Sequence, residues 1–297
     1  MSEYAISVAS NMGMIAFVAL SAYVILVVGE ISFGQQAYFG IGAYMSGAAT
    51  AMWGWPFGLA LAVGSLSAAA AAFAIGALTI RLRGLYFAIS TLCFAEMLRL
   101  WLNSVHVRVE VDGEMVGPDG AEGFGDIRWI FENDVTPLEF MFIIYGLLGA
   151  VLAFLLLVER SRLGAALRMV GQDPLLARSQ GIDASACKLL AVMFAGLIAG
   201  LGGGLYAHFA TYIEPNVFNV MLGVHGLAYG LIGGLGTALG PIIGVVLDIG
   251  FLEGIRAIQG YRMIVFGGLV AILLIVMPRG ILDETRVYRI KRWMRRT

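Results

Sequence analysis

Residues 31–80 read ISFGQQAYFG IGAYMSGAAT AMWGWPFGLA LAVGSLSAAA AAFAIGALTI, and none of these side chains carries a charge. The nearest charged residues are Glu30 on one side and Arg81 on the other. A transmembrane helix needs roughly 20 consecutive apolar residues, so this stretch is long enough for more than one. Because a backbone inside a bilayer must satisfy its own hydrogen bonds, we expect helices here.

The rest of the chain has the same character. Hydrophobic residues make up 60% of the 297 residues and charged residues only 13%, whereas soluble domains carry roughly a quarter of charged residues. Three further stretches, residues 4–29, 189–213 and 215–247, also lack Asp, Glu, Lys and Arg. The composition therefore predicts an all-α polytopic membrane protein.

Breaks between the apolar runs predict about nine spans in a single transmembrane domain covering residues 1–297. Two glycine-rich segments, residues 29–47 and 223–241, resemble helices that are broken or re-entrant at membrane depth beside a substrate path. Glycines that let helices pack closely are an equal alternative. The predicted spans lie near residues 11–29, 31–53, 57–80, 84–103, 138–158, 188–208, 220–236, 237–253 and 263–277.

Loop charges predict the orientation. The loop 104–137 is rich in Asp and Glu, whereas the loop 159–188 and the tail 278–297 are rich in Lys and Arg. Basic loops stay on the cytoplasmic side, so we expect the acidic loop and the N-terminus outside and the C-terminus in the cytoplasm. No Lys or Arg precedes Arg81, so we expect no cleaved signal peptide.

The basic loop 159–188 contains the signals of a short helix. Asp173 suits the N-cap, Pro174 the first turn and Gly181 the residue after the end, which predicts a helix over residues 174–180. A short amphipathic helix between spans has the form of a docking element for a partner protein. A helix lying on the membrane or on the protein's own spans is the alternative.

Few ionisable residues fall within the predicted spans, where each is costly. Glu96 and Arg99 are three residues apart on one helix face, which favours an interfacial pair. His225 lies in a glycine-interrupted span and is either a structural donor or a path residue.

We predict no catalytic site, no metal site and no enzyme activity, because the chain has no H-E-x-x-H motif and no paired acids at helical spacing.

Several segments, in this order and spacing, resemble one family. The first is SFGQQAYFGIGAY at residues 32–44, and the second is RLRGLYFA at 81–88, followed by Thr91, Leu92, FAE at 94–96 and Arg99. The third begins with SRLG at 161–164 and continues through Asp173 to Gly181 and Ile182. The last two are GGLGT at 233–237 with Gly240 and Pro241, and PRG at 278–280. The chain resembles, from about residue 29 to residue 282, permease subunits of bacterial ATP-binding-cassette importers of the branched-chain (hydrophobic) amino acid type.

The resemblance implies a multi-pass protein of the bacterial inner (plasma) membrane. It implies as partners a second, distinct permease, two cytoplasmic ATP-binding subunits and an extracytoplasmic substrate-binding protein, with no nucleic acid. No cofactor is expected on this chain, since it lacks a phosphate-binding G-x-x-x-x-G-K-[ST] loop. The expected ATPase-docking residues are Arg162, Arg168, Asp173, Pro174, Arg178 and Gly181, and the expected substrate-path residues are Gln35, Gln36, Tyr38, Tyr86, Glu96, His225 and Tyr229.

The expected substrate is a branched-chain or hydrophobic amino acid, or a related small organic solute. Members of the family commonly carry an acidic residue where this chain has His225, and often Met at the position of Tyr229. This difference favours an anionic or aromatic solute, so urea or amides and aromatic or carboxylic acids stay open as alternatives. An ion-coupled secondary transporter is a further alternative, which would require more paired carboxylates within the spans.

Overall fold

The computed structural model describes residues 3–111, 113–252, 262–277 and 280–283. It is mostly helical, as the sequence predicts. The helices are α1 (Glu3–Val27), α2 (Gln35–Ala51), α3 (Phe57–Thr79), α4 (Leu85–Leu102), α5 (Trp129–Glu132), α6 (Pro137–Arg160), α7 (Arg162–Gln172), α8 (Pro174–Ser179), α9 (Ala184–Ala210), α10 (Val220–Gly233), α11 (Leu239–Val245) with a π-helical continuation over Val246–Leu252, and α12 (Arg262–Val276).

Five helices in the described part of the chain, α1, α3, α4, α6 and α9, are long and apolar enough to cross a membrane. Shorter apolar helices follow at Val220–Gly233, Leu239–Gly250 and Met263–Leu273. Helix α2 has 17 residues and lies between α1 and α3 in the chain. The long helices agree with the predicted spans, whereas the total of about nine is not established by their lengths.

Helix α9 lies at the centre and packs on α1, α2 and α3. The contacts run through small residues, because a Cβ at Gly42 would collide with the backbone of Gly200, and one at Gly203 with the carbonyl of Phe39. A Cβ at Gly196 would similarly meet Ala72. Backbones that approach this closely gain dispersion contacts, which hold helices together where lipid removes the hydrophobic driving force.

Helix α2 begins inside the helical body. It runs parallel to α9 with a constant offset, since the side chain of Ser46 faces Gly204 and Thr50 Oγ1 lies 3.1 Å from His208 Nε2. The same offset places Gln35 level with Met193. At 1.5 Å per residue, this is about 13 Å along α9 from its first residue.

The second glycine-rich segment is broken, which is one of the two alternatives that the sequence leaves open for it. Helix α10 ends at Gly233, Gly234 has a φ of +90°, and α11 begins only at Leu239. Residues 280–283 pair with this break, because Ile281 N donates to Ile232 O at 2.9 Å and Leu282 N to Gly233 O at 2.8 Å. Apart from these residues, the predicted basic tail lies outside the described part.

The predicted short helix is present as α8, with the Asp173 side chain accepting hydrogen bonds from Leu175 N at 2.8 Å and Leu176 N at 3.0 Å. A further helix, α7, precedes it and was not predicted. Its Leu167 and Val170 are buried, and it packs on α1, α6 and α9. Helix α7 therefore lies on the protein's own spans, and α8 follows it. The role of α8 as a docking element stays a prediction.

The acidic loop 104–137 folds into a small cap. Strands β1 (Val109–Val111) and β2 (Glu114–Val116) pair antiparallel, a small exception to the all-α prediction. Trp129 of α5 stacks on Phe57 at the start of α3 with ring centroids 4.2 Å apart. The Thr136 side chain then caps α6 in a reciprocal capping box with Glu139.

Candidate functional site

The start of α2 holds buried polar groups that lack partners. The side chains of Gln35 and Gln36 are 0% exposed, and neither amide oxygen nor amide nitrogen of either has a hydrogen-bond partner among the described residues. The Tyr38 hydroxyl, about one turn further along α2, is also buried and lacks a hydrogen-bond partner among the described residues. An unsatisfied buried polar group costs about 1–3 kcal/mol, so such a group calls for an explanation.

The backbone leading into α2 is held by short side chains. Phe33 N donates to Thr91 Oγ1 of α4 at 3.1 Å, and Gly34 N donates to Ser32 Oγ at 3.1 Å. Gly34 is the N-cap and contributes no side-chain hydrogen bond. The first N–H groups of a helix have no partner within it, so this buried helix start is positive in potential.

Helix α10 closes over this site. A Cβ at Gly223 would collide with Oε1 of Gln36, so glycine lets the Gln36 amide lie against the α10 backbone. From the α4 side, the ring of Phe94 lies 6.0 Å from that of Tyr38. The structure therefore brings together three of the predicted path residues, Gln35, Gln36 and Tyr38, at the seam between α2 and α10.

Two further predicted path residues, His225 and Tyr229, lie along α10. The Tyr229 hydroxyl donates to Asp248 Oδ2 at 2.6 Å, and Asp248 is buried. The rings of His225, Tyr229 and Phe266 contact one another, with centroid distances from His225 of 6.1 Å to Tyr229 and 5.3 Å to Phe266. The region thus contains a buried carboxylate, that of Asp248, although position 225 itself carries none.

The remaining predicted path residues lie apart from this site, on α4. Tyr86 is 74% exposed at the start of that helix. Glu96 pairs with Arg99 at 2.9 Å, as expected from their spacing, and Arg99 Nη1 also donates to Asn216 Oδ1 at 3.1 Å. The pair therefore ties α4 to the turn before α10.

A second polar group lies beside α7, and we name it the Glu159 cluster: Tyr23, Glu159, Arg168 and the break residues 235–238. Glu159 accepts hydrogen bonds from the Tyr23 hydroxyl at 2.7 Å, Ala238 N at 2.5 Å and the Thr237 hydroxyl at 3.2 Å. Arg168 donates to Leu235 O at 3.2 Å and Gly236 O at 3.1 Å. The cluster joins α1, α6 and α7 to the break after α10.

The structure gives Arg168 a different place from that predicted. It was expected on an ATPase-docking surface, but its guanidinium points inward to the carbonyls of the break. Arg162, Asp173, Arg178 and Gly181 are exposed and Pro174 is half-buried. The most protruding apolar side chains of α8 are Leu175, at 71% exposure, and Leu176, at 54%.

Sequence reasoning missed a third polar contact, between Glu30 and Lys188. These two side chains form an ion pair that is almost fully buried, and Glu30 Oε2 also accepts from Gly84 N at 2.9 Å. It thereby joins the α1–α2 connection, the start of α4 and the start of α9. The available signal was that each charge stands at the end of a long uncharged run.

In the described part, no group of three or more His, Cys, Asp or Glu residues could hold a metal ion.

Comparison with known proteins gives a consistent result. The family described as "Branched-chain amino acid transport system / permease component" matches residues 4–277. The chain is 28% identical, over 93% of its length and 67% of the relative's, to the high-affinity branched-chain amino acid transport system permease protein LivM of Escherichia coli. It is 27% identical to the corresponding LivH of Escherichia coli, over 54% of its own length and 52% of the relative's.

A shorter match has a different printed substrate. Over 29% of the chain and 26% of the relative, it is 33% identical to the guanosine ABC transporter permease protein NupQ of Bacillus subtilis. No solved structure matches the chain.

Proposed function

Because the chain belongs to the family of permease components of branched-chain amino acid transport systems, we propose that it forms half of an ATP-driven import path for a branched-chain or other hydrophobic amino acid. The relatives LivM and LivH, both permeases of a branched-chain amino acid system, support this substrate class. Their occurrence as two different permeases in one bacterium supports a second, distinct permease as the partner.

The observation that carries the ATP-driven mechanism is the shape of α7 and α8. Helix α8 presents Leu175 and Leu176 to the surface, while Asp173 fixes its first turn. An exposed apolar pair on a rigid short helix fits a groove on a partner, and we assign this surface to a cytoplasmic ATP-binding subunit. Behind it, Arg168 of α7 carries the contact to the break after α10.

The proposed topology has nine spans. The five long helices supply five, and α2, α10, α11 with its π-helical continuation, and α12 supply the other four. An odd number places the two termini on opposite sides, and the loop charges then favour the N-terminus outside and the C-terminus in the cytoplasm. The cap formed by residues 104–137 then faces the extracytoplasmic binding protein.

The orientation is tested by labelling single cysteines with a membrane-impermeant maleimide. Both native cysteines, Cys93 and Cys187, are first replaced by alanine. Glu122→Cys, in the cap, should react in intact cells, whereas Ser179→Cys, at the end of α8, should react only after the membrane is opened. Both side chains are exposed, so access to reagent depends on the side of the membrane. The reverse pattern would contradict the topology.

The transport function is tested with the purified complex in proteoliposomes. The chain should co-purify with a second permease and an ATPase, and leucine uptake should require the binding protein and internal ATP. Uptake driven by a sodium or proton gradient without ATP would instead establish the secondary transporter. ATP-dependent uptake of a nucleoside, urea or an aromatic acid in place of leucine would support the assignment as an importer but would contradict the proposed substrate.

A further inference from the structure

The polar groups at the start of α2 form a set whose hydrogen-bonding capacity is unused within the described chain. It comprises the two amides of Gln35 and Gln36, the Tyr38 hydroxyl, and the backbone N–H groups of the same two glutamines at the start of a 17-residue helix. The next two N–H groups, of Ala37 and Tyr38, donate to Gly34 O. We name this set the α2 polar site. It contains both donors and acceptors, because each glutamine amide supplies an NH₂ group and a carbonyl oxygen.

A partner permease does not account for the α2 polar site. The side chains of Gln35, Gln36 and Tyr38 are already fully buried by this chain's own helices, so a second subunit packed on the outside would leave them unpaired. Further along α2 the buried hydroxyls of Tyr44 and Ser46 are also unpaired within the described chain, but no other turn of this helix holds two amides and a hydroxyl together. Polar side chains kept unpaired at such cost indicate a ligand that enters and pairs with them.

We propose that the α2 polar site binds the carboxylate and ammonium groups of the transported amino acid. This inference rests on the proposed function and assigns the groups of this chain that hold its solute. The helix N-terminus and the glutamine NH₂ groups donate to the carboxylate, while the glutamine carbonyl oxygens accept from the ammonium group. These groups are uncharged, so they suit a solute whose own net charge is zero. Helices that begin at membrane depth serve solute carboxylates in this way.

The position of the site explains how it would be opened. The Gln36 amide lies against Gly223 of α10, and the other end of α10 is the break held by Glu159 and Arg168. A movement of that break would shift α10 relative to α2 and part the seam over the glutamines. The site is therefore closed in this structure and is exposed when α10 moves.

The test uses the complete importer with its binding protein and ATPases in proteoliposomes. In Gln36→Leu, an apolar side chain of similar length replaces the unpaired amide, so the thermal midpoint of the complex should rise or stay unchanged. Leucine uptake should fall about tenfold or more, since hydrogen bonds to a charged group are lost. Gln36→Glu, which keeps the size but repels a carboxylate, should also lose uptake.

Ser46→Ala is the matched control. The Ser46 hydroxyl is likewise buried and without a hydrogen-bond partner among the described residues, but it lies on α2 more than two turns from Gln36, against Gly204. This variant should keep the wild-type uptake rate and should not lower the thermal midpoint. A large loss of uptake in Ser46→Ala would show that uptake responds to any change in α2, and would overturn the inference.

Two results with Gln36→Leu would also overturn it. One is uptake at the wild-type rate, and the other is a fall of the thermal midpoint that parallels the loss of uptake, which would make Gln36 a structural residue. If the wild-type complex carries another solute but not leucine, the proposed amino-acid function fails first. The same variants are then assayed with that solute, and the inference stands only if it is a zwitterion whose uptake Gln36→Leu reduces.

Discussion

Glu159, in the last turn of α6, accepts a hydrogen bond of 2.7 Å from the hydroxyl of Tyr23 in α1. The same carboxylate receives Ala238 N from the far side of the break after α10. One side chain thus fixes α1, α6 and the break relative to one another. Because α6 continues almost directly into α7, these contacts also connect the α7–α8 loop to the break.

Replacing Glu159 by Gln should uncouple ATP hydrolysis from uptake. The groups that surround Glu159, the Tyr23 hydroxyl, Thr237 hydroxyl and Ala238 N–H, all donate to it. The NH₂ group of a glutamine would face one of these donors, so both groups would lack an acceptor. A buried polar group left without its hydrogen bond costs about 1–3 kcal/mol of free energy. We expect ATP hydrolysis to continue while uptake falls several-fold, measured on the same proteoliposomes. Glu132→Gln in the outer cap is the control, and equal effects of both changes would contradict the assignment.

Replacing Arg168 by Lys tests the same link from α7. The guanidinium donates to two consecutive carbonyls, Leu235 O and Gly236 O, and an ammonium group cannot reproduce this planar fork. Uptake per ATP hydrolysed should fall, with unchanged co-purification of the ATPase. Arg162→Lys, at the exposed start of the same helix, should behave as wild type. Loss of the ATPase from the Arg168→Lys complex would instead return Arg168 to the docking surface.

Replacing Leu175 by Asp should detach the ATPase. Leu175 is 71% exposed on α8, so a charge there costs nothing in the isolated chain but would be buried unpaired in a docked complex. We expect at least a tenfold weaker association in a co-purification or binding titration. Arg178→Ala should weaken it less, and Asp173→Asn, which preserves an N-cap, should leave α8 intact. Normal association of Leu175→Asp would rule out this face of α8 as the docking surface.

The local features of the fold could be predicted because their signals lie within a few residues. Asp173 and Pro174 together mark the start of α8, and the glycines around Gly234 mark the break after α10. Helix α7 was missed because Gly164 and Gly171 read as turn residues. In the structure they are helical, and a Cβ at Gly164 would collide with the Val158 carbonyl.

The long-range contacts could not be predicted in the same way. The partners of Arg168 are the carbonyls of Leu235 and Gly236, 67 and 68 residues further along the chain. A backbone carbonyl has no sequence signature, so an arginine in a basic loop was assigned to the surface. The glutamines of α2 were expected on the substrate path from the family resemblance, but their complete burial was visible only in the fold.

Replacing Gly42 by Val should prevent α2 from packing on α9. A Cβ at Gly42 would overlap the Gly200 backbone, which cannot move aside as a flexible side chain would. We expect little or no folded protein, measured as monodisperse material after detergent extraction. Gly58→Ala, at the start of α3 where a Cβ would meet nothing within 4 Å, should extract normally. A well-folded Gly42→Val variant would contradict the close α2–α9 contact.

The Glu30–Lys188 pair should be more sensitive to losing one partner than to losing both. Both side chains are almost fully buried, so Lys188→Met leaves the Glu30 carboxylate with the Gly84 N–H but without its counter-charge. Removing one member of a buried pair costs about 3–5 kcal/mol, whereas replacing both by uncharged residues of similar volume is often neutral. We therefore expect Lys188→Met and Glu30→Gln each to lower the thermal midpoint markedly.

The double variant Glu30→Gln/Lys188→Met should recover most of that loss. A thermal midpoint measured on the four proteins of this cycle gives the coupling between the two sites directly. The pair joins the starts of α4 and α9 to the connection before α2. Its loss should therefore also make the connection that leads to Gln35 less rigid. If the single losses simply add in the double variant, the two charges act independently and the pair does not hold this junction together.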